Sequence, residues 1–251
     1  MREKKKMEIN STKMNRNKGV TMVLYSDSGK GKTVALGSLP EKELLIIDAD
    51  GGMESISNKE HDTVSLLRTG DLEQDGAGRL AEIVMYLRSD TNKYKYVAID
   101  SITEVEKYIL SSLRYERGKD YLTIKEYGDT SMVLREYIRV FRDLTERGMH
   151  VIFTALEMPL TIQESSDGVI TKAFPKLTKS LAPELCGLVD MVGRIEINDK
   201  TGERRIRFKG AENITAKTRV AGINDYEGTD LNAIFKKIAD YKNGGKTNGK
   251  V

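Results

Sequence analysis

The residues with the clearest chemical signature are Ser26-Asp27-Ser28-Gly29-Lys30-Gly31-Lys32-Thr33, which lie between a short apolar run and a helical stretch. Their spacing is that of a phosphate loop, a leading residue and four others followed by Gly-Lys-Thr, with Ser26 at the position the pattern gives to glycine. A loop that closes onto a helix start points backbone N–H groups inward, where the helix dipole also favours an anion. Gly29 and Gly31 lack Cβ, so their backbone can take positive φ and approach phosphate oxygens. Lys32 has the reach to neutralise the β- and γ-phosphates, and the Thr33 hydroxyl is a magnesium ligand. Ser28, Gly29, Lys30, Gly31, Lys32 and Thr33 are therefore the expected nucleotide-binding residues, for ATP with Mg2+. Lys30 either adds charge beside the phosphates or faces solvent, and Asp27 is expected to point outward.

Such a loop needs an acid for the metal's water shell at the tip of a neighbouring strand. Asp100, after Tyr96-Val97-Ala98-Ile99, is that candidate; otherwise it caps the next helix. Hydrolysis needs a further carboxylate to orient water. Asp48 and Asp50, in Ile47-Asp48-Ala49-Asp50-Gly51-Gly52, are spaced to share a strand face, so both are expected to look toward the phosphates. Glu54, Glu104 and Glu106 are rivals, the last two placed on the first turns of the following helix.

The elements that must hold these residues alternate. Val20–Tyr25, Leu44–Ile47, Tyr96–Ile99 and Val151–Thr154 are short apolar runs that read as buried strands. Helical spacing links Leu80, Ile83, Val84 and Leu87, and again Leu134, Tyr137, Ile138, Phe141 and Leu144. Strands alternating with helices imply a parallel sheet with right-handed crossovers. Met191–Ile197 and Arg204–Phe208 read as a late antiparallel hairpin at the sheet edge, and Asp230–Tyr241 as a closing helix.

Composition narrows the classes. The chain has 251 residues, enough for one α/β domain, over 19–242, between a basic arm at 1–18 and a tail at 243–251. No apolar run reaches the ~20 residues that cross a bilayer, and the charged N-terminal stretch is not a secretory leader. A single cysteine, Cys186, and two histidines, His61 and His150, allow neither an internal disulfide nor a zinc cluster. Cys186 and His150 read as structural. The net charge is +3, with +5 on residues 1–18 and +4 on 236–251, which leaves −6 on the body between. Basic ends on an acidic body either attract a polyanion or serve only as solvated tails.

Taken together, Gly29-Lys30-Gly31-Lys32-Thr33, Ile47-Asp48-Ala49-Asp50 and Ile99-Asp100-Ser101 resemble the motif order of RecA-like recombinase cores. More closely, the sequence resembles phage RecA-like ATPases of the Sak single-strand-annealing type, the phage nucleotide-binding proteins, over roughly 19–219. The resemblance implies a RecA-like P-loop NTPase core, mainly parallel and flanked by helices, working in the cytoplasm of an infected bacterium as a homo-oligomer. It places Asp50 where the family carries a catalytic glutamate, so Lys32, Asp50 and Asp100 become the implied catalytic set, with slow turnover from the shorter side chain. It places Leu156 where the family has a polar γ-phosphate sensor, leaving Thr154 or Glu157 as substitutes. It aligns 158–179 with a mobile DNA-binding loop, in which Lys172, Lys176 and Lys179 would meet phosphates and Phe174 would stack on a base; the alternative is a surface loop with Phe174 in the core. Arg207, Lys209 and Arg219 are candidates to complete a neighbour's site. Tyr121, Tyr127 and Tyr137 are candidates for stacking on adenine.

The implied function is ATP hydrolysis coupled to single-stranded DNA in recombination, annealing or repair. The alternatives are a loader that remodels a phage or host replication protein, and a nucleotide-holding module with little turnover. An AAA-plus loader would carry a helical lid after the core, whereas this chain is expected to end in strands and one helix.

Overall fold

Alternation along each central strand decides which side of the sheet it feeds. A computed structural model of the chain describes residues 17–66, 76–118, 123–165, 168–198 and 200–244. Residues 1–16 of the basic arm, 245–251 of the tail, Tyr121, Ser166 and Asp167 lie outside the described residues. The elements, in chain order, are β1 (Thr21–Ser26), α1 (Lys32–Leu36), β2 (Leu44–Asp48), β3 (Asp62–Ser65), α2 (Gly76–Leu87), β4 (Tyr96–Asp100), α3 (Ile102–Glu116) and α4 (Ile124–Asp143). Then come β5 (His150–Ser165), β6 (Gly168–Pro175), α5 (Leu181–Leu188), β7 (Met191–Ile197), β8 (Arg204–Arg207), β9 (Lys217–Thr218), β10 (Tyr226–Gly228) and α6 (Leu231–Lys242).

The strands run in the order β10-β8-β7-β1-β5-β4-β2-β3. From β7 to β3 every pairing is parallel. At the other end β8 pairs antiparallel with β7, and β10 with β8. This is the α/β architecture expected: a mainly parallel sheet flanked by helices, with a late antiparallel edge.

Both faces are covered, so the strands are near-continuous apolar runs. Val23 and Tyr25 of β1, Leu45 and Ile47 of β2, and Val97 and Ile99 of β4 face one core, closed by α2, α3, α4 and α5. Met22 and Leu24, Leu44 and Ile46, and Tyr96 and Ala98 face the other, closed by α1 and α6. Each fully buried aliphatic side chain contributes about 1.5–3 kcal/mol, so the two cores together hold the strand tips in fixed register. On the second face His150 stacks on Tyr96, ring centroids 5.2 Å apart, and lies 4.4 Å from Phe235. Its Nδ1 accepts the Val20 N–H at 3.2 Å. Cys186 is buried, and burial pushes its thiol up to about 12.

One expectation is overturned. Where a loop was expected over 158–179, residues 158–165 and 168–175 are strands. β5 leaves the parallel sheet at Leu156 and continues as an arm that pairs antiparallel with β6, from Glu157↔Pro175 to Ser165↔Gly168, with a bulge between Thr161 and Gln163. The cause is legible afterwards: Leu160 and Ile162 alternate with Thr161 and Gln163 ahead of a Ser-Ser-Asp-Gly turn sequence, and the β-branched Val169, Ile170 and Thr171 follow it. Phe174 is 7% exposed and belongs to the first core, so it is not available to stack on a base.

Candidate functional site

β1 lies between β5 and β7, and its C-terminal end opens into the Ser26–Thr33 loop. In open α/β sheets ligands bind in the crevice beyond the strands' carboxyl ends. Ser26 is the last residue of β1, so its extended conformation needs no glycine, and its Oγ donates to the Asp27 carbonyl at 3.0 Å. That explains how the loop tolerates the departure at its first position. Gly29 and Gly31 have φ of 74° and 96°, a region that a side chain would make costly. α1 follows at Lys32, its first turn closed by Ala35 N–H on the Gly31 carbonyl at 2.9 Å.

The Lys32 ammonium is buried and folded back on the loop, donating to the Asp27 carbonyl at 3.0 Å and the Ser26 carbonyl at 3.2 Å. Burial lowers its pKa, opposed by the charges of Asp100, Asp50 and Asp27. The Thr33 hydroxyl donates to Asp100 Oδ2 at 2.7 Å, across the tip of β5. Thr154, fully buried on that intervening strand, donates to Asp100 Oδ1. Asp100 is 1% exposed, and its pKa is raised by burial, against the lowering effect of the Thr154 and Thr33 hydrogen bonds. The peptide after it, Asp100-Ser101, is cis. Gly52 closes the site from the β2 side: a Cβ there would lie 3.6 Å from Thr33 Oγ1.

These groups fit magnesium. Thr33 and Asp100 offer hard oxygen donors, and Mg2+ is usually held by one or two protein groups with substrate phosphates supplying the rest. The glycine loop is open where phosphates would enter, since a Cβ on Gly29 would meet nothing within 4 Å.

Asp48 and Asp50 do not share a role. Asp48 ends β2 buried, and its Oδ1 accepts the N–H groups of Gly51 at 2.7 Å and Asp50 at 3.2 Å. It builds the turn instead of facing phosphates, because the chain bends immediately after it. Asp50 lies past the strand, exposed, with its pKa raised by partial desolvation and then by Glu104. The rival acids are occupied or remote in role: Glu104 pairs with Lys107 at 2.6 Å, Glu106 accepts the Thr178 N–H at 3.0 Å, and Glu54 is exposed on a 3-10 turn at 53–56.

Leu156, at the expected sensor position, has its N–H bonded to Thr103 Oγ1 at 3.1 Å. Thr103 also donates to the Lys176 carbonyl at 2.9 Å, so one buried hydroxyl on α3 clamps both strands of the arm at its root. Sequence reading missed Thr103; its position three residues after Asp100, on the inward face of α3, was the available signal. Of the substitute sensors, Thr154 is held by Asp100, and Glu157 forms a two-pronged pair with Arg194 at 2.7 and 3.0 Å. Lys176 and Lys179 are exposed at the root of the arm, and Lys172 is half-buried on β6. Arg207 donates to the Lys209 carbonyl at 2.7 Å, Lys209 pairs with Asp225 at 2.8 Å, and Arg219 donates to the Gly187 carbonyl at 2.9 Å. Tyr127 is exposed on α4, whereas Tyr137 packs against the first core. His61 Nε2 lies 3.4 Å from the Gly37 carbonyl, outside the loop.

Comparison with known proteins agrees with this geometry. No curated protein matches the chain. Among solved structures, the flagellar accessory protein FlaH from Methanocaldococcus jannaschii is similar at 11% identity, with a TM-score of 0.45, over 83% of this chain and 84% of that one. The family model described as "AAA domain" matches residues 18–220, which takes in the phosphate loop, Asp50, Asp100 and the sheet from β1 to β9. The chain therefore belongs to the AAA domain family.

Proposed function

We propose that the protein binds ATP with Mg2+ at the Ser26–Thr33 loop and hydrolyses it slowly, in the service of single-stranded DNA transactions such as annealing, recombination or repair. The observation that carries nucleotide chemistry is the Thr33–Asp100 hydrogen bond at 2.7 Å beside the buried Lys32 ammonium. Lys32 exchanges its loop carbonyls for phosphate oxygens and neutralises charge that develops on the transferred group. Thr33 and Asp100 would hold the metal, while Thr154 fixes the carboxylate's orientation. Bound magnesium supplies Lewis-acid stabilisation of the phosphate oxygens. Asp50, open to solvent and electrostatically coupled to Lys32, accepts the proton of attacking water. Its side chain is one methylene shorter than glutamate, which makes the chemical step slow.

Support for DNA comes from charge and connection. Lys172, Lys176 and Lys179 lie on or next to the arm, whose root is clamped by Thr103 just beyond Asp100. The basic ends, +5 over residues 1–18 and +4 over 236–251, add a salt-sensitive attraction to phosphates. A second reading, a protein partner in replication, is favoured by one observation: Ile162 and Val169 on the arm are 46% and 61% exposed. After α5 the chain consists of β7 to β10 and α6, with no helical lid among the described residues.

The test is magnesium-dependent ATP hydrolysis at low salt, with and without single-stranded DNA, using Lys32→Ala as the blank. Turnover that is stimulated by DNA and abolished by Lys32→Ala is the expected result. Full activity in Lys32→Ala sinks the site, and turnover indifferent to DNA transfers the case to the protein partner.

A further inference from the structure

The β7–β8 hairpin stands beside the phosphate loop. Tyr25 of β1 pairs with Arg194, and β7 runs on for three more residues to Ile197, opposite Arg204. The hairpin thus projects past the strand end where the loop begins. It carries four arginines, and three are engaged. Arg194 is paired with Glu157 at 2.7 Å. Arg205 is paired with Glu196 at 2.6 Å and lies 4.0 Å over the Tyr226 ring. Arg207 donates to the Lys209 carbonyl. Arg204 has no partner among the described residues, yet its side chain lies along the loop. A Cβ built on Gly31 would come 3.4 Å from Arg204 Cδ, 3.5 Å from Nε and 3.9 Å from Cζ.

An exposed arginine usually extends into water or finds a carboxylate. Here it rests on a glycine whose loop already gathers the positive ends of backbone dipoles and two lysines. The cavity beside the loop, about 330 Å³, is walled by Asp27, Lys30, Glu157, Arg194, Glu196 and others but not by Arg204, which alternates to the other side of β8. Its two glutamates are consumed by Arg194 and Arg205, and Asp27 makes no ion pair with Arg204. Arg204 lies close to the loop with no carboxylate bonded to it, and a phosphate group between its guanidinium and the loop lysines would offset their mutual repulsion.

Direction narrows the contact. Thr33 turns toward Asp100 on β4, so the metal and terminal phosphate belong on that side of β1. Arg204 arrives from β8, on the opposite side of β1, and touches the residue before Lys32. Building on the nucleotide-binding reading above, we infer that Arg204 binds the α/β-phosphate end of the nucleotide held by its own subunit. The guanidinium recognises the part common to ATP and ADP, so it sets nucleotide affinity and product retention without discriminating the γ-phosphate.

The experiment is titration of the full chain with ADP and with a non-hydrolysed ATP analogue, by calorimetry, for wild type, Arg204→Ala, Arg204→Lys and Lys32→Ala. Arg88→Ala, an exposed charge at the other end of the sheet, is the control for losing one positive charge. The expected result is a Kd raised roughly tenfold for both nucleotides in Arg204→Ala, as for loss of a charge-assisted hydrogen bond, with partial recovery in Arg204→Lys and an unchanged melting temperature. Wild-type affinity in Arg204→Ala, alongside loss in Lys32→Ala, overturns the assignment and leaves the site reading intact. Loss confined to the ATP analogue also overturns it, because the contact is then with the γ-phosphate. Absence of binding by the wild type removes the nucleotide reading and this inference together.

Discussion

Acidification should destabilise this protein through one imidazole. His150 is packed between Tyr96 and Phe235, and burial lowers its pKa from 6.5 to about 4. Above 6.5 the ring is neutral in both folded and unfolded chains and costs nothing. Between 6.5 and 4 the unfolded chain takes up a proton that the folded one refuses, so stability falls as pH falls. Each tenfold difference in proton affinity is worth about 1.4 kcal/mol, so the full loss is roughly 3 kcal/mol, a large share of a typical domain's 5–15. The assay is urea unfolding at a series of pH values from 8 to 4.5, for wild type and His150→Phe. The variant loses the acceptor for Val20 N–H, which lowers its stability by an amount independent of pH. Other titrating groups are shared, so they cancel in the difference between the two curves. That difference should narrow by about 2 kcal/mol or more between pH 7 and 4.5. A constant difference across the window refutes the reasoning.

Four further outcomes are expected. Asp50→Asn should reduce turnover at least ~100-fold, within the range for general-base loss, while calorimetric ATP affinity is kept. In the wild type the acid limb of turnover should lie above the ordinary aspartate value of 3.8, because the Asp50 pKa is raised and its ionised form is the active one. Thr154→Val removes the hydroxyl that orients Asp100. The Mg2+ concentration for half-maximal turnover should rise about tenfold, with ADP binding in EDTA unchanged. Phe174→Ala should destabilise the fold by about 3–5 kcal/mol, measured by denaturant unfolding, yet leave single-stranded DNA affinity intact at low temperature. A selective loss of DNA affinity would return Phe174 to the surface.

Much of the frame is legible in the residues. The apolar runs at 20–25, 44–47 and 96–99 are too short for helices and are bounded by turn chemistry, so they read as strands, and the structure extends each by a single residue or shifts it by one. The hairpin at 191–197 and 204–207 is legible because its strands alternate around Asn198 and Gly202. β3 is not: Asp62-Thr63-Val64-Ser65 has little apolar character, and only the parallel edge offered by β2 makes it a strand. Asp48 and Asp50 are one residue apart in pattern and opposite in use, since a strand's end is fixed by where its neighbours stop. The loop at Ser26–Thr33 is legible because its chemistry is local. The clamp made by Thr103, the bond from Thr154 to Asp100 and the approach of Arg204 to Gly31 are not, because each depends on which elements distant in sequence come together.

The root of the β5–β6 arm has a mechanical consequence. Thr103 grips both of its strands one helical turn beyond Asp100, and residues 157–165 run outward from that grip. Nine extended residues reach roughly 30 Å, so a tilt of about 5° at the root carries the tip roughly 2–3 Å. A shift at Thr103 too small to disturb the packed sheet would thus be geared up to the size of a side-chain contact at the far end. The gearing lies in the length of one continuous strand, which belongs to the sheet at one end and to the arm at the other.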